Sequence, residues 1–410
     1  MVMNVNAVAL CAVGAEKTVS NELKKLGLSI IEGGYGRVRF RSDIAGLYRA
    51  LMALRAADRI LLEAACFEAA DFDALFEGTR DCPWEDHIPR GFGLRVAKVR
   101  TSRSRLEAET SIQAVVHKAA AERLCRKWKV NRLPETGENE AELRVYIEKD
   151  QASVLLDLSG EPLFRRGYRT MGGTAPLRET TAAAIILHSQ WRRKFSLYDP
   201  FCGAGTIAIE AAMYAWDIAP GIGRHFALER FLLGDRGTEH KVRNELLEKI
   251  DFSRPVRIGG SDNDAAVVAA AKSNMARALA LAGQRQPESI PAFRVLPMEE
   301  AMPPRGFSSA ESAAPGAAAG SGQDADNFRG AAPEGFIITN PPYGRRLGDA
   351  ESAEKTYAEM GKLARHFSGW KLALISDHPG FESFFGRKAD SCREITNGAI
   401  HSYFYQYESL

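Results

Sequence analysis

From about Thr180 onward, short apolar runs alternate with stretches of helical spacing. That alternation confines the second half of the chain to a mostly parallel, doubly wound sheet with helices on its faces. Leu197–Asp199 reads as a strand and Thr206–Trp216 as a helix. Val256–Ser261 is the next strand, and Asp264–Leu281 is a long Ala-rich helix ending at Gly283. Phe293–Leu296, Phe336–Thr339 and Leu372–Ser376 read as strands, with a helix near Thr356–His366 and two closing strands around Ala389–Ile395 and Ala399–Tyr407. In such a sheet a ligand lies beyond the carboxyl ends of the strands, so the chemistry belongs in the loops that leave them.

The first half has a different rhythm. Val5–Val13 alternates as a strand, Glu16–Leu26 is helical and closed by Gly27, Tyr35–Phe40 is a strand after a Gly33–Gly34 turn, and Ile44–Leu54 is helical again. This α+β run is most economically a ferredoxin-like module. Thr110–Leu124 reads as a helix, and Leu143–Leu158 as a hairpin turning at Lys149–Gln151. Ala310–Gly335, made largely of Ala, Gly, Ser and Pro, cannot bury enough to offset its ordering entropy and reads as a mobile surface insertion.

Composition excludes whole classes. At 410 residues, 45% hydrophobic and 26% charged, the chain is neither disordered nor, lacking a long apolar run, expected to span a membrane. Met1–Leu10 has no basic stretch and carries Asn4 and Asn6, unlike an export signal. The six cysteines form no CxxC pair and do not group with histidines, so the expectation is a reducing cytoplasm and no zinc site.

The net charge is only +2, but it is unevenly spread. Between Arg90 and Arg132 twelve Lys and Arg face three acids, a local balance of +9 in a nearly neutral chain. Lys98, Arg100, Arg103 and Arg105 are the candidates for phosphate contact, with a second basic group in Arg165, Arg166 and Arg169. Such a concentration favours a polyanion as partner.

Three loop motifs carry the chemistry. Asp199–Thr206 (DPFCGAGT) joins a strand to a helix, and Gly203 and Gly205 leave its backbone open to a ligand at a helix N-terminus. It is neither a P-loop nor a full GxGxxG. IGGSD then ends a strand in Asp262, placed to accept from the hydroxyls of a ribose. Asp264 is the reserve, more naturally a helix cap. Asn340-Pro341-Pro342-Tyr343-Gly344 closes the strand FIIT. Two prolines fix the backbone and remove two donors, leaving the Asn340 side-chain oxygen and the Pro341 carbonyl to hold an exocyclic amine. Tyr343 offers a ring face to a base.

In this order DPFCGAGT, GSD and NPPYG resemble the class I S-adenosylmethionine-dependent methyltransferases that modify exocyclic amines of nucleobases. With RRGYR, APLRETTAAAI and the basic N-terminal half, the whole chain is similar to the bacterial THUMP-domain RNA guanine-N2 methyltransferases. Among these it resembles notably the half of the large-subunit rRNA enzyme that makes N2-methylguanosine. The resemblance implies a ferredoxin-like domain over residues 1–60, a THUMP RNA-binding domain over 61–162 and a Rossmann-like catalytic domain over 163–410. It implies S-adenosylmethionine as cofactor, Asn340, Pro341, Pro342 and Tyr343 as the catalytic set, and Asp199, Phe201, Gly203, Gly205, Thr206 and Asp262 around the cofactor. Pro297 stands where relatives usually carry an Asp against adenine, and Glu299 is the substitute. The implied substrate is a guanosine of 23S rRNA. Alternatives are tRNA, a DNA amine, or an inactive RNA-binding assembly factor. Glu179 is either part of a family motif or a helix-start acid.

Overall fold

The computed structural model describes residues 4–135, 137, 139–169, 177–283, 287–303, 335–342, 349–398 and 400–410. They group into two units. One takes in the chain up to Cys11, Val19–Phe164 and Arg224–Glu248; the other takes in Ala12–Thr18, Arg165–Gly223 and Lys249–Leu410.

The N-terminal run contributes β1 (Val5–Cys11), α1 (Glu16–Lys25), β2 (Ser29–Gly34), β3 (Arg37–Ser42), α2 (Ile44–Ala53), β4 (Ala57–Glu68), α3 (Phe72–Asp81), β5 (Gly93–Ser102), α4 (Glu109–Trp128), β6 (Glu140–Glu148) and β7 (Gln151–Asp157). Its strands form one sheet in the order β2-β3-β1-β4-β7-β6-β5. The expected turn at Gly33–Gly34 is displaced: both glycines end β2, paired with Val38 and Arg37, and Gly36 with φ +67° takes the bend. Sequence reading passed over β4, which has no turn signal at its start. It pairs with β1 on one edge and β7 on the other, so the sheet runs unbroken through residue 60.

The remaining elements are α5 (Glu179–His188), β8 (Ser196–Asp199), α6 (Thr206–Ala215), α7 (Arg236–Glu248), β9 (Ile258–Asp262), α8 (Ala265–Leu281), β10 (Ala292–Val295), β11 (Gly335–Thr339), α9 (Asp349–Met360), β12 (Lys371–Ser376), α10 (Phe381–Phe385), β13 (Ser391–Asn397) and β14 (Ile400–Tyr407). Of these, α7 belongs to the first unit. There it lies against α2, with Glu245 paired to Arg49 at 3.2 Å, and the Asp235 amide just before it donates to the Tyr48 hydroxyl.

The second sheet has the order β10-β9-β8-β11-β12-β14-β13. From β10 to β12 the strands are parallel, and β14 runs antiparallel to both its neighbours. The class expected from the sequence, α/β with a mostly parallel doubly wound sheet, is the one observed. Both β8 and β11 are buried along their full length, as strands covered on both faces must be. The strand order reverses between them: β8 leads on towards β9, β11 towards β12. At such a reversal the two departing loops diverge and leave a crevice. Beneath it lies an aromatic core of Tyr198, Tyr357, Phe367, Trp370 and Phe381. Residues 310–334, most of the insertion expected to be mobile, lie outside the described residues.

Candidate active site

The loop after β8 is built by the glycines that sequence reading singled out. Gly203 and Gly205 have φ of +50° and +83°, the left-handed region that costs glycine nothing. Gly205 also has no room: a Cβ there would come within 3.0 Å of Ala271 and 3.1 Å of the Phe293 ring. The loop therefore lies flat against α8 and β10 before α6 begins at Thr206. It is held from below as well. The Cys202 amide donates to the Ser261 carbonyl at 2.9 Å, and Asn274 Nδ2 donates to the Ala204 carbonyl at 2.9 Å.

Asp262 closes β9 and ties the two loops together. Its Oδ2 accepts from the Gly203 amide at 3.0 Å and its Oδ1 from the Asp264 amide at 3.1 Å. Each carboxylate oxygen has a lone pair left for a hydroxyl. Asp264 is the N-cap of α8, accepting from the Ala266 amide at 2.7 Å, which is the role favoured for it from sequence.

Across the sheet reversal, β11 ends in Thr339, and Asn340-Pro341-Pro342 follows. These three share one cavity of about 610 Å³ with Phe201, Gly203, Asp262 and Glu299. Asn263, Pro297 and Met298 line it too, with Ser352, Thr356 and Glu359 from α9 forming another wall. Sequence reading missed that wall. Ser352, Thr356 and Glu359 recur at spacings of four and three on one face of α9, but a polar helical face looks the same when it meets only water. Tyr343 lies outside the described residues.

Other candidates take supporting places. Asp199 does not line the cavity; it is buried, accepting from the Thr339 hydroxyl at 2.6 Å and the Phe201 amide at 3.1 Å. Burial, opposed by those hydrogen bonds and reinforced by nearby Asp262, pushes its carboxyl up to about 7. Gly205 and Thr206 are also buried, and the Thr206 hydroxyl accepts from Arg169.

The basic group at 165–169 requires a correction. Arg166 is buried against Glu210 at 3.5 Å, with Tyr168 donating to the same carboxylate at 3.1 Å. Arg169 is mostly buried, pairing with Glu179 at 3.4 Å and donating to the Leu177 carbonyl. Neither is presented to a phosphate. A guanidinium buried against a carboxylate is bound to it by the low dielectric around it. Glu179 is the first residue of α5 and is itself buried, its carboxyl raised by burial. Arg165 is exposed.

In the other unit, acids from outside the basic stretch offset part of the +9. Arg95 meets Glu140 and Glu142 at 2.5 and 2.8 Å, and Glu85 takes Arg123 and Lys127 at 2.6 and 3.2 Å. Arg100 pairs with Glu109 at 3.0 Å while remaining half exposed, and Arg105 approaches Asp150 at 3.7 Å. Among the described residues, Lys98 and Arg103 take part in no ion pair. Exposed ion pairs are worth about 0–1 kcal/mol, so a competing phosphate can displace those of Arg100 and Arg105.

A family model described as RMKL-like, methyltransferase domain, matches residues 166–285 and 308–406, the stretch that builds this cavity. The chain belongs to this RMKL-like methyltransferase family. A second model, RlmL ferredoxin-like domain, matches residues 6–61, so the N-terminal module is ferredoxin-like as expected. Among relatives, YpsC of Bacillus subtilis (strain 168), whose name gives it a provisional RNA methyltransferase activity, is 34% identical over 98% of this chain and 95% of its own. The ribosomal RNA large subunit methyltransferase K/L of Cellvibrio japonicus is 32% identical over 96% of this chain, which spans 50% of that protein's length. The chain thus covers about half of the K/L relatives. A crystal structure of SMU.472, a methyltransferase by the same kind of provisional title, complexed with SAH, superposes with a TM-score of 0.81. It is 34% identical and covers 100% of this chain and 99% of that one.

Proposed function

We propose that this chain is an RNA methyltransferase that uses S-adenosylmethionine to methylate the exocyclic N2 of a guanosine, in 23S rRNA. One observation carries the reading: the Gly203–Asp262 loops and Asn340-Pro341-Pro342 wall the same cavity. The names of the K/L relatives, and SAH in the SMU.472 structure, support the substrate class and the cofactor.

The residues present fit that cofactor. Asp262 retains acceptor capacity for a ribose, Gly203 keeps the loop backbone open, and Pro297, Met298 and Glu299 offer a wall with one carboxylate for an adenine amine. S-adenosylmethionine, when bound, supplies an electrophilic methyl group. The protein's part is orientation. Asn340 Oδ1 and the Pro341 carbonyl accept the two amine hydrogens of the base, and the rigid Pro-Pro backbone fixes where they point. Tyr343 stacks on the base, offsetting part of the few kcal/mol spent in unstacking it. No strong base is required, because the amine proton can leave after the methyl has arrived.

Delivery of the RNA falls to the N-terminal half, read here as a ferredoxin-like domain at 1–60 and a THUMP domain at 61–162, ahead of the catalytic domain at 163–410. Lys98, Arg100, Arg103 and Arg105, with exposed Arg165, are the phosphate contacts. Mapping N2-methylguanosine in rRNA and tRNA from cells with and without the gene tests the assignment. Loss of a single 23S site is expected. Loss from tRNA alone would transfer the reading to tRNA, and loss of neither would end it.

A further inference from the structure

We propose that Tyr357 is a positioning residue for the amine clamp, acting through the carbonyl of Pro342. The inference rests on the function proposed above and adds to it a group outside the NPPYG motif.

The Tyr357 hydroxyl lies 2.7 Å from the Pro342 carbonyl and 3.4 Å from Ser376 Oγ. A carbonyl can only accept, so the single phenolic proton goes to Pro342. The longer contact then has one direction left: Ser376 donates to Tyr357. Ser376 Oγ in turn accepts from the His378 amide at 3.1 Å. Four groups line up in one sense, from the His378 amide just beyond β12 through Ser376 and Tyr357 to Pro342. Donors arranged head to tail polarise one another, most strongly where water is absent. Tyr357 and Ser376 are both fully buried.

The ring cannot swing away. Phe381 and His378 meet it edge-on at centroid distances of 5.0 and 5.6 Å. Proline fixes its own φ and leaves ψ open. The carbonyl of Pro342 therefore needs an external anchor, and Tyr357 is the one the core provides. A free Pro342 carbonyl would also be a third acceptor beside the two that the clamp uses. Capping it leaves Asn340 and Pro341 to define where an amine binds. On α9 the division of labour is plain: Ala353, Tyr357 and Met360 face the core, while Ser352, Thr356 and Glu359 face the cavity.

Tyr357→Phe keeps the ring and deletes only the hydroxyl. With rRNA from cells lacking the gene as acceptor and radiolabelled S-adenosylmethionine as donor, kcat should fall about tenfold or more. KM for the RNA and the affinity for SAH should stay within about twofold. Ser376→Ala should lower kcat by a smaller factor. The double variant should fall no further than Tyr357→Phe alone, because Ser376 reaches Pro342 only through the missing hydroxyl. A Tyr357→Phe enzyme with kcat within twofold of the parent overturns the inference, as do losses that multiply in the double variant. Methyl transfer to a base amine other than guanine N2 would refute the function proposed above while leaving the relay standing on its kcat ratios. A parent enzyme that methylates no RNA amine refutes both.

Discussion

The Thr339 hydroxyl donates to the buried carboxyl of Asp199 across 2.6 Å, joining the last residue of β11 to the last residue of β8. These are the two strands between which the sheet order reverses, and they already pair in parallel, so this bond adds a side-chain tie at the point where the two loops of the cavity begin. Thr339→Val keeps the shape and removes the donor. It should cost about 1–3 kcal/mol by leaving a buried acceptor underserved, seen as a lower Tm by calorimetry.

Asp199 also makes stability depend on pH in an unusual direction. Its carboxyl is raised to about 7 in the folded chain against an ordinary value of 3.8. Between those values the folded state holds a proton that the unfolded state releases, so its contribution is full below about 3.8 and is lost as pH rises towards 7. Asp199→Asn keeps the acceptor oxygen and cannot ionise. Its Tm should match the parent near pH 4 and exceed it at pH 8; parallel Tm profiles for the two proteins would contradict this.

Asn340→Ala should reduce methyl transfer by at least about a hundredfold, since it deletes one of two acceptors that align the amine. SAH binding, followed by calorimetry, should change little. Unaltered turnover would remove Asn340 from the clamp.

Asp262→Ala should do the opposite. It takes away a ribose acceptor and also frees the Gly203 and Asp264 amides that the carboxylate now holds. Cofactor affinity should drop about 10–100-fold, measured by titration with SAH, because a charged hydrogen-bond acceptor is worth about 1.5–3 kcal/mol.

RNA affinity should fall with salt by a slope of about −0.7 per neutralised phosphate on single strands. Lys98→Ala and Arg103→Ala should each flatten that slope by about one contact, read from binding isotherms at several salt concentrations. Arg166→Ala should leave the slope alone and instead destabilise the fold by about 3–5 kcal/mol, since Glu210 would be left as an unpaired buried charge.

What the sequence disclosed and what it hid divide along a physical line. Gly203, Gly205, Asp262 and Asn340-Pro341-Pro342 were legible because their roles are local: a backbone conformation, a strand end, a fixed φ. The sheet of the second half was legible for the same reason, since apolar runs such as FIIT and LALIS declare themselves. Tyr357 was hidden. Its spacing from Ala353 and Met360 marks it as core, and nothing in the chain says that its hydroxyl meets Pro342, fifteen residues earlier. Arg166 and Arg169 misled because charge is countable from sequence and burial is not. The β4 strand escaped because it follows α2 with no Gly or Pro to separate them, and its pairing partners lie both before and far after it.

The placement of α7 has a practical consequence for anyone dissecting the gene. This helix lies between α6 and β9 in the chain yet packs on α2 in the first unit, so no single cut separates the two units. A fragment ending near residue 163 would lack the helix that shields α2, and the complementary fragment would carry an amphipathic segment with nothing to cover. Swapping halves between relatives should therefore succeed only when residues 224–248 travel with the N-terminal portion and residues 12–18 with the C-terminal one, a graft at five junctions rather than one.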